Sequence, residues 1–143
     1  MIMFSKLSTF KDNTRKWQEA FNVLKINGII LIPIILLAIL CGKFLVNLIF
    51  GQKYEDAFLP MQFLFPGVYF LSLATILQNF IASTGRSWLM IIPPLVASII
   101  NIILDLLLVK NYHLQGIAAA TLIAYIFFML TSLYVSRKCL EKA

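Results

Sequence analysis

Four stretches of this 143-residue chain are long enough to cross a lipid bilayer and carry almost no charge. Residues 26–52 hold one ionised side chain, Lys43, and residues 57–85 hold none. Residues 87–109 hold only Asp105, and residues 114–136 again hold none. A hydrocarbon core of about 30 Å needs about 20 apolar residues of helix, and each stretch reaches that length. Inside lipid a segment must satisfy its own backbone N–H and C=O groups, which excludes loops and open strands. The expectation is an all-α integral membrane protein: four transmembrane helices in an antiparallel bundle, preceded by an amphipathic helix.

Composition agrees. Hydrophobic residues make up 61% of the chain, against about 45–50% in soluble domains. The net charge of +6 is not gathered into one patch, so no nucleic-acid partner is expected. Instead the basic residues flank the spans. Lys6, Lys11, Arg15, Lys16 and Lys25 precede the first, Arg86 lies between the second and third, and Arg137, Lys138 and Lys142 follow the fourth. Only Lys43, Lys53 and Lys110 fall on the other side. The positive-inside rule then predicts a multi-pass protein of the cytoplasmic membrane with both termini in the cytoplasm, in contact with membrane lipids. The first 25 residues are charged throughout and show no apolar run followed by small residues, so no cleavable signal is expected. Cys41 and Cys139 fall near opposite membrane faces, too far apart for a disulfide.

The expected organisation is a segment over 1–25, a transmembrane region over 26–136 and a basic cytoplasmic tail over 137–143. Spans are expected at about 26–50, 58–82, 88–109 and 116–135. In the first segment Leu7, Phe10, Thr14, Trp17, Phe21 and Leu24 recur at intervals of three and four, one helical stripe. Such a helix either lies in the headgroup layer or extends the first span into the cytoplasm. Pro33 predicts a kink in the first span. Pro60 and Pro66 lie in the second, and Pro93-Pro94 in the third. The connections Gly51–Asp56, Ser83–Ser87 and Lys110–Gln115 are short, which makes sequential spans antiparallel. Gly116, Ala120 and Ala124, spaced by four, predict a close helix-packing face.

Ionisable groups within spans are costly and stand as functional candidates. Lys43 and Asn47 share one face of the first span, and Asn101 and Asp105 share one face of the third. At 1.5 Å per residue, Lys43 lies about 10 Å and Asp105 about 6 Å below the outer surface. Three readings follow: Lys43 snorkels to the headgroups, the two charges pair across the bundle, or all four residues line a wet cavity for substrate. Gln78 and Asn79 read as interhelical hydrogen-bond partners. His113 is a lone histidine in an outer connection, so no metal site is expected. No nucleophile–base pair or glycine-rich phosphate loop is present in the sequence, so neither enzymatic chemistry nor a cofactor is expected.

Several short elements recur in a recognisable order. Phe50-Gly51-x-x-Tyr54-x-x-Ala57 follows the first span, and Ala82-Ser83-Thr84-Gly85-Arg86 forms the inner turn. Asn101-x-x-Leu104-Asp105 lies in the third span, and Gly116-Ile117-Ala118-Ala119-Ala120-Thr121 opens the fourth. This pattern, over about residues 26–135, resembles the C-terminal region of the oligosaccharide and polysaccharide flippases. Those flippases share a superfamily with the multidrug and toxin extrusion proteins and the lipid II flippases. The resemblance implies export of a lipid-linked oligosaccharide or polysaccharide precursor across the membrane by alternating access. It also implies that this chain corresponds to the last four helices of a larger transporter, a fragment whose partner is the missing N-terminal lobe or a second copy. Independently of the resemblance, Gly51 and Gly85 suit helix stops with positive φ, Arg86 anchors an inner turn, and Gly116 begins the packing face. Two other classes remain open: a small dimeric multidrug-type transporter, and a non-transporting accessory membrane subunit.

Overall fold

The computed structural model describes residues 12–141, with Glu55 described through its backbone alone. Leu7, Phe10, Lys6, Lys11 and Lys142, invoked above, lie outside the described residues. The described chain is helical almost throughout, and three of its helices are long and apolar enough to cross a membrane.

Helix α1 runs unbroken from Asn13 to Phe50. Its start is fixed by Asp12, whose extended backbone (φ −93°, ψ 125°) turns the carboxylate onto the first turn. The Thr14 amide donates to Asp12 Oδ1 at 3.1 Å and the Thr14 hydroxyl to Oδ2 at 2.6 Å, an N-cap. These bonds, the hydroxyl first and the amide second, hold the Asp12 carboxyl below its ordinary range. The cap is therefore fully formed above the ordinary carboxylate pKa and is lost only as pH falls through the lowered value. No boundary separates 13–25 from the apolar segment, so the described part of the amphipathic stretch extends the first span. Thirty-eight residues make a helix about 57 Å long, well beyond the hydrocarbon thickness. The N-terminal turns of α1 are seated on protein: Ala20 is fully buried, and the Trp17 ring meets Phe80 edge-on at 5.2 Å.

Gly51 stops α1 with φ 83°, and its amide caps the Asn47 carbonyl at 3.0 Å. A short 3-10 helix, Gln52–Ala57, leads into α2, Phe58–Ser83, which closely matches the second expected span. Gly85 takes φ 76° after α2. A second 3-10 turn, Ser87–Ile91, delivers the chain to α3, Ile92–Glu141. Pro93 and Pro94 thus sit in the first turn of α3, where a missing N–H costs nothing.

Helix α3 is two helical arms joined at His113, whose φ of 48° and ψ of −129° are not helical. The arms lie side by side. Asn101 and Thr121 line one cavity, as do Pro94 and Phe128, although a straight helix would hold Asn101 and Thr121 about 30 Å apart. The expected outer connection of Lys110–Gln115 is thereby compressed into a single residue. His113 carries the backbone strain of that reversal, because an L-side chain disfavours this region, which resembles the first central position of a type II′ turn. His113→Gly should raise the unfolding temperature in detergent, by the equivalent of about 1 kcal/mol. A lowered unfolding temperature would show that the imidazole compensates for its own strain.

The register of the helices follows from their contacts. Along α1 and α2, Lys16 meets Ser83, Asn27 meets Ser72 and Gly42 meets Phe58, so the two run in opposite directions. Along α2 and the second arm of α3, Gly67 meets Tyr125 and Gln78 meets Ser132, so these run in the same direction. Helix α2 is the central element: Leu73, Ala74, Ile76, Leu77, Phe80 and Ile81 are all buried. By contrast α1 exposes Ile29, Leu40 and Leu48, and the first arm of α3 exposes Ile102 and Leu106. Water does not solvate continuous faces of this kind.

Candidate functional site

Polar side chains interrupt the apolar helices. Some that are buried or half-buried satisfy one another between helices. Asn27 Nδ2 donates to Ser72 Oγ at 2.6 Å, and Gln78 Nε2 donates to Ser132 Oγ at 3.3 Å. Outside these interhelical pairs, Thr75, Thr121 and Thr131 return their hydroxyl protons to carbonyls of their own helices at 2.7–2.9 Å. Gln78 therefore has the interhelical role its sequence position suggested. No partner of that kind was foreseen for Asn27, because a single asparagine one residue into an apolar run has no periodic signal.

Other buried polar atoms are unsatisfied: Asn47 Oδ1, Asn101 Nδ2, Asp105 Oδ1 and Ser136 Oγ have no hydrogen-bond partner in the structure. Orphaned buried groups of this kind are uncommon, and each carries a desolvation penalty of about 1–3 kcal/mol. Three of the four residues singled out from sequence thus present buried polar atoms with unfilled bonding capacity. Asn101 opens onto a cavity of about 200 Å³ between the arms of α3 and Leu71 of α2. Ser98, Thr121 and Tyr125 share that cavity. The buried small residues Ala97 and Ala124 face each other across it, one from each arm.

Lys43 behaves differently. It is exposed, on the turn of α1 where Gly42 packs against the Phe58 ring. Asp105 lies on the first arm of α3 and its buried Oδ1 accepts no bond from Lys43. The structure brings Asn101 and Asp105 onto one helix face a turn apart, and it leaves Lys43 on a different helix.

The residues of the recurring elements act at helix ends. Tyr54 donates its amide to the Gly51 carbonyl at 3.1 Å and sets its ring edge-on to Phe50 at 6.2 Å. Ala57 is the last residue before α2, and Arg86 accepts the Leu89 amide at 3.0 Å. At Gly116 a Cβ would lie 2.6 Å from the Leu108 carbonyl oxygen, so this glycine is where the two arms touch backbone to backbone. Ala120 and Ala124 continue the buried face. His113 is exposed, Cys41 is exposed and Cys139 is buried. Among the described residues no three His, Cys, Asp or Glu side chains converge as a metal site would require.

The helix ends also segregate by charge. Lys16 meets the end of α2, and Arg86 and Lys138 line one cavity there. At the opposite end Lys53, Asp56 and His113 line another. No curated protein and no solved structure matches this chain. A family model described as "Polysaccharide biosynthesis protein" matches residues 1–59, less than half of the chain, a stretch that runs through α1 into the first residues of α2.

Proposed function

We propose that this chain is the C-terminal part of a flippase that exports lipid-linked oligosaccharide or polysaccharide precursors across the cytoplasmic membrane by alternating access. In this reading α1, α2 and the two arms of α3 are four antiparallel crossings, with both termini in the cytoplasm. The polysaccharide-biosynthesis family match over 1–59 supports the biological context, and it overlaps the Gly51-x-x-Tyr54-x-x-Ala57 element of the flippase resemblance. The charge segregation supports the orientation. The observation that carries the reading is that Asn101 and Asp105, a turn apart on one face of α3, and Asn47 on α1 each keep a buried polar atom unsatisfied. A purely structural subunit gains nothing from buried polar atoms that bond to nothing, whereas a transport path requires groups that bind water or substrate in turn. Substrate hydroxyls or ordered water would fill the bonding capacity of Asn101 and Asp105, and the missing lobe or a second copy would complete the path.

Asp105→Asn and Asn101→Leu test this in cells or vesicles that export the glycan through the complete transporter. Export should fall roughly tenfold with Asp105→Asn, the loss of one charged hydrogen bond, while folded protein stays at its normal level. Equal losses of export and of folded protein would make Asp105 a structural residue. Unchanged export would remove it from the path.

A further inference from the structure

Another cavity lies away from the unsatisfied Asn101 and Asp105. It occupies about 500 Å³ between the turn after α2 and the end of the second arm of α3. Its lining is mixed in character: Arg86 and Lys138 are basic, Trp88 and Tyr134 aromatic, and Leu89, Ile92 and Val135 aliphatic. The Lys138 ammonium is held over the Tyr134 ring, 5.5 Å from its centroid, which keeps it at the mouth of the groove. Trp88 and Tyr134 are 66% and 64% exposed, unusual for large aromatics in water and usual at a membrane–water boundary.

We propose that this groove is a binding site for an anionic phospholipid of the leaflet that faces the basic helix ends. The phosphate sits between Lys138 and Arg86, and one acyl chain lies along Leu89, Ile92 and Val135. The charge of the mouth selects the headgroup: an ammonium and a guanidinium at one opening attract a phosphate that carries no compensating cation. A guanidinium has five N–H donors, so Arg86 can engage a phosphate oxygen alongside another partner. The apolar floor selects a lipid over a soluble phosphate, because an acyl chain replaces water along it. Trp88 and Tyr134 fit the glycerol level, where an amphipathic ring meets both phases. A bound lipid would also join the turn after α2 to the end of α3.

Native mass spectrometry of the full chain in detergent, loaded with defined lipids, tests the site. Phosphatidylglycerol should be retained over phosphatidylcholine roughly thirtyfold, given about fivefold per basic residue beside an anionic headgroup. The double substitution Arg86→Gln with Lys138→Gln should abolish the preference. Arg137→Gln, an exposed neighbour outside the groove, should leave it largely in place. Ile92→Trp should weaken retention of both lipids by filling the floor with the charges intact. Equal retention of the two phospholipids by the unaltered chain would overturn the proposal, and this outcome does not depend on the folding of any variant. Displacement of phosphatidylglycerol by glycerol 3-phosphate at matched concentration would reduce the site to a phosphate site and overturn it. Preferential retention of a polyprenyl diphosphate would do the same by assigning the groove to that lipid. A loss with Arg137→Gln equal to that of the double variant would show surface charge alone.

Discussion

Gly116→Val should unfold the contact between the two arms of α3, and even Gly116→Ala should lower stability measurably. An added Cβ would stand 2.6 Å from the Leu108 oxygen, 2.9 Å from its carbonyl carbon and 3.0 Å from its Cβ. Two of those three atoms are backbone, so no rotamer change relieves the clash; one helix must move away from the other. Overpacking of this kind costs typically 1–3 kcal/mol, and a branched side chain against backbone belongs at the upper end, about 3 kcal/mol. Thermal unfolding in detergent should rank wild type above alanine and alanine above valine. Cysteine pairs engineered across the arms should also lose their cross-linking yield in the valine variant. Equal stability of the alanine and wild-type proteins would mean that the arms do not meet at Leu108.

Lys16→Glu should be the most damaging single change at the opposite end. Lys16 is only 8% exposed, and its ammonium donates to the Ser83 carbonyl at 2.7 Å. That carbonyl belongs to the last turn of α2, whose final carbonyls have no intrahelical donors. A cation there also meets the negative end of the α2 dipole. Ser83, Thr84 and Gly85 cap the Phe80, Ile81 and Ala82 carbonyls locally, and α1 supplies the donor for the Ser83 carbonyl that follows them. Loss of a charge-assisted bond costs about 1.5–3 kcal/mol. Lys16→Met should show roughly that loss, because an unbranched apolar side chain still fills the buried position of the lysine stem. Lys16→Glu should exceed it, since a carboxylate would face a carbonyl and the wrong end of a dipole. If Lys16→Met unfolds at the wild-type temperature, the bond contributes nothing and the stem alone matters; if Lys16→Glu matches Lys16→Met, the reversed charge adds no penalty.

The parts of this fold that sequence made legible are those fixed by local composition. Helix α2 runs Phe58–Ser83, one residue beyond the expected span, because glycine and short polar turns bound it on both sides. The positive φ at Gly51 and Gly85 follows from residue type alone. Apart from Gln78, residues whose role depends on a distant partner were not legible. Lys16 reads as one more flanking cation until Ser83, 67 residues away, is placed beside it. Trp17 reads as lipid-facing by its stripe, yet its ring is set against Phe80. The reversal was expected to take six residues, and it takes one, because helical hydrogen bonding continues on both sides of His113. Within the candidate site, the helical spacing of Asn101 and Asp105 placed them on one face. What sequence did not supply was that the cavity beside Asn101 also draws on Thr121 and Tyr125 from the other arm.

The seat of Ala20 has a consequence for how the chain is made. Ala20 is packed with Phe80, Ile81, Val135 and Cys139 in one cluster. A ribosome delivers Ala20 before Phe80, and Phe80 before Val135 and Cys139. Trp17 and Ala20 therefore stay uncovered during synthesis until the end of α2 and the second arm of α3 have been made and have docked on them. A chain that stops before Val135 would leave that end of the molecule open and its apolar surface available to quality-control proteases.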